Sequence, residues 1–129
     1  MIGSTRRLTV HAYGAPVDMR KSFDTLSVLV VERMQLEVLS GDVFLFVGRD
    51  RRRAKALFWD GTGLCLYAKR LEKGRFAAPW RRGDGETLKL TMSELALFLE
   101  GSELVSKQPL SPAPYTAAPL LPNTAVAPR

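Results

Sequence analysis

The chain has 129 residues, 46% of them hydrophobic and 25% charged, which suits one domain with a single modest core and excludes a wholly disordered chain. Nineteen Lys and Arg against thirteen Asp and Glu give a net charge of +6, which speaks to partners and solubility rather than to fold. One cysteine excludes an internal disulfide, no apolar run reaches the roughly 18 to 20 residues of a membrane helix, and MIGSTRRLTVHAYG lacks a signal-type hydrophobic segment, so a cytoplasmic protein is expected.

In chain order, Arg7 to Tyr13 alternate and are rich in β-formers, which predicts an opening strand closed by the Gly14-Ala15-Pro16 turn. Asp18 is then placed as N-cap of a helix running to about Leu39, with Met19, Phe23, Leu26, Val30 and Met34 at three- and four-residue steps on one face. The β-branched Val28, Val30 and Val31 oppose that helix weakly, because they lose rotamer freedom in it. After Ser40-Gly41-Asp42, the runs Val43 to Val47, Ala54 to Trp59 and Gly63 to Lys69 read as a three-stranded antiparallel meander. Its last two strands meet at the tight turn Asp60-Gly61-Thr62-Gly63. Arg75 to Ala78 and Thr87 to Leu90 read as edge strands around the polar loop Arg81 to Gly85. Thr91-Met92-Ser93-Glu94 is a capping box, followed by Leu95, Phe98 and Leu99 on one helix face and Gly101 as the stop.

From Ser106 to Arg129 the chain holds six of its eight prolines and no acidic residue, which predicts an extended tail. The expected organisation is a domain over 1–105 and a proline-rich disordered tail over 106–129. The fold class is α+β, a small, mostly antiparallel sheet with one long and one short helix.

The charge is concentrated in the middle of the chain. Arg49 to Arg82 hold eleven Lys and Arg against three Asp and Glu, a local net of +8, the electrostatic footprint of a protein that meets phosphate. Arg49, Arg51, Arg52, Arg53 and Lys55 follow one predicted strand, while Lys69, Arg70, Lys73 and Arg75 surround a turn at the same end of the meander, so the two clusters can form one patch. The plainer reading is a solvated cationic rim that protects an edge strand from aggregation. Phe58, Trp59, Tyr67 and Phe76 lie among these charges; stacking on bases is conceivable, but alternation on a half-buried sheet favours core packing.

Catalytic chemistry has few candidates. His11 is the only histidine and sits on an alternating strand, where a hydrogen-bonded structural role is expected. There is no CxxC, HExxH or phosphate loop, and Asp18, Asp24, Asp42, Asp60 and Asp84 fall mostly at turn or cap positions, so no catalytic residue, metal or cofactor is expected. Cys65, inside an apolar run, reads as a buried small hydrophobe.

Three strings carry a resemblance: VDMRKSFDTL at 17–26, GDVFLFVGRDRRRAKALFWDGTGLCLYAKRLEKGRF at 41–76, and LTMSELALFLEG at 90–101. Together they resemble the TnpB-type accessory protein of the sixty-six class of insertion sequences, which is unrelated to the RNA-guided nuclease of that name. The likeness runs from about Ile2 to Gly101 and is most specific at Trp59-Asp60-Gly61 and at the KRLE of Lys69 to Glu72. It implies a small protein encoded beside a DDE-type transposase and needed for efficient transposition; taken with the missing catalytic motifs and the basic clusters, the expectation is a non-enzymatic protein in a bacterial, nucleoid-associated setting with DNA, transposase and other insertion-sequence proteins as partners. Its motif residues Asp18, Arg20, Lys21, Trp59, Asp60, Gly61 and Gly63 are expected to be structural. The chain departs from the family pattern at Phe76-Ala77-Ala78-Pro79, where FxWP is usual and Trp80 falls one place past the proline. Ser22 and Thr25 replace usual small residues, and the tail after Val105 is not shared.

Two functions follow as expectations. One is a DNA-binding accessory module working through the basic loops at the element ends; the other is a protein adaptor that docks on the transposase or its partner without touching DNA.

Overall fold

Val43–Val47, read VFLFV, is buried at every residue, as a strand covered on both faces must be. It lies at the centre of the sheet. The computed structural model describes residues 8–81 and 86–101. Strand β1 spans Val10–Ala12, helix α1 Phe23–Val28 with a π-helical continuation over Leu29–Arg33, and strands β2, β3 and β4 span Val43–Val47, Arg53–Trp59 and Leu64–Arg70. A 3₁₀ turn over Pro79–Arg81, strand β5 over Leu88–Leu90 and helix α2 over Met92–Leu99 follow.

The sheet order is β4-β3-β2-β1-β5, with β1 and β2 parallel and every other pair antiparallel. A parallel pair needs a crossover, and α1 is that crossover, so it packs on one face of the sheet. There Leu26, Val30, Met34 and Met19 close over Phe44, Phe46 and Leu57. On the other face α2 and the chain after β4 bring Leu95, Phe98 and Phe76 over Val43, Leu45, Val47, Ala54 and Ala56. The predicted meander is β2-β3-β4, and the edge strand expected at Thr87 to Leu90 is β5, paired with β1.

The long helix begins later and ends sooner than its apolar spacing predicts. Asp18 does not cap it, because the Arg20 side chain and backbone N–H both bond the Asp18 carboxylate, at 2.7 to 3.1 Å. Ser22 is the N-cap residue, and its N–H donates to the Thr25 hydroxyl at 2.8 Å. Ser22 and Thr25 therefore supply the start of α1. At the far end Gln35 takes φ +57, a left-handed conformation that ends the helical run well before Leu39. Met19 is buried from the preceding loop, while Phe23, the first helical residue, has no earlier turn to lean over and stays 43% exposed.

Arg75 to Ala78 form no strand. Phe76 is instead drawn under α2, fully buried and stacked on Phe98 with ring centroids 5.0 Å apart. Trp80 packs half-buried against the same cluster. The α2 cap forms as predicted: Thr91 N–H donates to Glu94 Oε1 at 2.8 Å and Glu94 N–H to Thr91 Oγ1 at 3.1 Å. Gly101 stops the helix at φ +68, where a Cβ would lie 2.3 Å from Leu71 Cδ1. His11 is structural, buried with its Nε2 2.9 Å from Asp42 Oδ2 and its ring stacked on Phe44. Residues 82–85, which include Asp84 and most of the predicted polar loop, and the tail over 106–129 lie outside the described residues.

The Asp60 turn is built on its carboxylate. Oδ1 accepts from Thr62 N–H at 2.9 Å, Gly63 N–H at 3.0 Å and the Thr62 hydroxyl at 3.0 Å, and Gly61 takes φ +105. These donors, Thr62 N–H first, lower the carboxyl from 3.8 to about 2. A carboxyl whose folded value is depressed contributes stability that is complete above its unfolded value and is lost as pH falls through the folded one. The urea midpoint is thus expected to decline between about pH 4 and pH 2, and Asp60→Asn should flatten part of that decline while lowering the midpoint at neutral pH. An Asp60→Asn curve parallel to wild type throughout would contradict a turn held by this carboxylate.

Cys65 is not fully buried as its apolar run suggests. On the outermost strand it is half-buried, with its thiol donating to Asp60 Oδ2 at 3.5 Å. Desolvation and the neighbouring carboxylate push the thiol pKa up, which lowers its reactivity.

Candidate nucleic-acid interface

The two basic clusters are joined by the backbone itself. Leu71 N–H donates to Arg52 O at 2.8 Å and Phe76 N–H to Arg51 O at 2.7 Å, locking the β2–β3 loop to the chain that leaves β4. Local chemistry shapes the first loop: Asp50 Oδ1 accepts from Arg52 N–H at 2.9 Å, and Arg51 takes φ +60 to turn the chain back. The Arg52 N–H, and then the Arg53 charge, hold the Asp50 carboxyl below its usual value. Gly74, at φ +76, shapes the second.

The nine predicted cations divide by burial. Arg51, Lys55 and Lys69 are half-buried and each donates to a backbone carbonyl: Arg51 Nη1 to Phe76 O at 3.3 Å, Lys55 Nζ to Lys21 O at 2.7 Å, and Lys69 Nζ to Leu99 O at 2.7 Å. Lys69 thereby satisfies a carbonyl in the last turn of α2, where positive charge also suits the helix dipole. These three brace the fold. Arg49, Arg52, Arg53, Arg70, Lys73 and Arg75 are exposed at the same end of the sheet.

Two of the exposed six are partly neutralised. Arg53 lies 3.5 Å from Asp50 and Arg70 lies 3.7 Å from Glu72, both as solvent-exposed pairs that hold their partners weakly. They also stand directly across β3 and β4 from each other, a like-charge juxtaposition that costs stability unless an anion relieves it. Beside them opens a shallow cleft of about 390 Å³ lined by Met19, Arg53, Lys55, Ala68, Lys69, Arg70 and Glu72. Arg49, Arg52, Lys73 and Arg75 make no ion pair among the described residues.

The motif residues at the start of the chain reach this end too. Lys21 accepts the Lys55 ammonium, and Met19 forms a wall of the cleft. Asp18 holds Arg20 at 2.7 Å, which drives the Asp18 carboxyl far below the usual range and the Arg20 guanidinium up. Charge patterning alone does not place Met19 or Lys21 here, because the contact spans 34 residues. Trp59, Asp60, Gly61 and Gly63 lie at the opposite end of the β3–β4 hairpin. Of the four aromatics among the charges, Phe76 is in the core, Phe58 and Trp59 are half-buried, and Tyr67 is 47% exposed on the outer strand.

Residues 8–109 match the family described as "IS66 Orf2 like protein". The chain belongs to the IS66 Orf2-like family. It is accordingly an accessory protein of an IS66-type insertion sequence. Among the relatives of this Orf2-like protein are two uncharacterised proteins of Sinorhizobium fredii (strain NBRC 101917 / NGR234), y4hO and y4jC. Each is 34% identical over 101 residues, which cover 78% of this chain and 86% and 85% of the respective relative. No solved structure matches it.

Proposed function

We propose that this Orf2-like protein is a non-catalytic transposition factor that holds DNA by its phosphates through the basic end of the β3–β4 hairpin. One observation carries the reading: two loops separated in sequence are hydrogen-bonded into a single platform bearing six exposed cations. Loop cations of this kind reach backbone phosphates, which position a protein on the duplex and carry no sequence information. The expected binding is therefore weakly sequence-specific and strongly dependent on salt.

A fluorescence-anisotropy titration of the full chain against duplex DNA, repeated from low to physiological salt, tests this directly. With four to six cations engaged, log affinity should fall against log salt with a slope of about −4 to −5. Undetectable binding at low salt, or a flat salt dependence, would remove DNA contact from the reading. The adaptor reading has its own support in α1 and its π-helical continuation, where Phe23, Val28 and Val31 are 43%, 51% and 54% exposed. Transposase capture that persists without DNA, and is lost when Val28 and Val31 become Ser, would favour it.

A further inference from the structure

The two edges of the sheet differ. β5 offers three residues, whereas β4 offers seven, Leu64 to Arg70, without a proline, and among the described residues nothing pairs with its outer side. Natural sheets protect such an edge by shortening it, covering it or charging it. Here the charge sits only at one end, on Lys69 and Arg70, and Leu64 to Tyr67 carry none. Which backbone groups are free follows from the flanking bonds. Leu71 N–H points to Arg52 and Gly63 O accepts from Asp60, so alternation turns the N–H and C=O of Leu64, Leu66, Ala68 and Arg70 outward.

We infer that β4 pairs antiparallel with β4 of a second copy of this chain, about a two-fold axis at Tyr67. That register uses all seven residues, setting Leu64 against Arg70, Cys65 against Lys69 and Leu66 against Ala68 of the other copy. The charges are complementary in it. The Cys65 thiol lies 3.5 Å from the Asp60 carboxylate, and since Leu99 O holds the Lys69 ammonium, it is the exposed Arg70 of one strand that comes toward the acidic turn of the other. A parallel pairing in register would instead oppose Lys69 to Lys69 and Arg70 to Arg70, which is destabilising. Tyr67, 47% exposed in the single chain, meets its own counterpart at the axis as a non-hydrogen-bonded pair, the closer of the two antiparallel spacings.

Sedimentation velocity of the full chain without DNA reads the association independently of any nucleic-acid role. The wild-type chain is expected to be dimeric at tens of micromolar. Ala68→Pro removes only an outward N–H, which an edge strand tolerates, and should give a folded monomer. Tyr67→Lys, which sets two ammonium groups face to face, should weaken the dimer at least about tenfold. In a Cys65→Ser background, Tyr67→Cys should form a covalent dimer on mild oxidation, and Thr62→Cys should not. A wild-type chain that stays monomeric up to about 200 µM, an Ala68→Pro chain as dimeric as wild type, or equal cross-linking at positions 62 and 67 would each overturn the pairing.

Discussion

Truncating Phe98 to Ala is expected to lower the stability of the fold by about 3 to 5 kcal/mol. Phe98 is fully buried and stacks on Phe76 at 5.0 Å with the rings 10° from parallel. The loss therefore combines transfer of an aromatic ring with the cavity left against its partner. Phe98→Leu, which keeps most of the volume, should cost much less. Urea denaturation of the three proteins measures the difference. The damage should also spread: Phe76 N–H and C=O bond Arg51, so a loosened Phe76 frees the loop that carries the cations. A Phe98→Ala midpoint equal to wild type would mean that α2 contributes no cover to the sheet.

Replacing Arg49, Arg52, Lys73 and Arg75 together with Ser is expected to flatten the salt slope of DNA binding by about 3 to 4 units. All four are exposed, so each should change stability by no more than about 0.5 kcal/mol. The informative contrast is Lys55→Ser with Lys69→Ser, which removes cations whose ammonium groups hold Lys21 O and Leu99 O. That pair should lose more stability than the quartet and change the slope less. A quartet variant with full affinity and an unchanged slope would reduce the basic end to a solvated edge.

The central strands and α2 could be read from sequence because their signals are local. Val43–Val47 is a continuous apolar run, the Asp60 carboxylate makes its own turn, and Thr91 and Glu94 cap the helix three residues apart. The start of α1 could not, since Asp18 and Ser22 are both good cap residues and the choice falls to Arg20, which occupies the Asp18 carboxylate. Phe76 likewise follows a strand-like pattern but finds a better partner in Phe98 than any neighbouring strand provides. Meander topology was enough to bring the two basic clusters to one end. It does not reveal which cations are committed inward, because Arg51, Lys55 and Lys69 find their acceptors 25, 34 and 30 residues away.

The backbone clamp between the two basic loops bears on the thermodynamics of docking. Free loops of this length would have to surrender conformational freedom each time they settled on a phosphate backbone, a cost charged against every encounter. With Arg51 and Arg52 carbonyls already fastened to Phe76 and Leu71, that ordering is completed when the chain folds. Under the proposed DNA binding, association would then be opposed mainly by lost tumbling and by side-chain freezing, and calorimetry should show counterion release rather than loop ordering as the dominant entropy change.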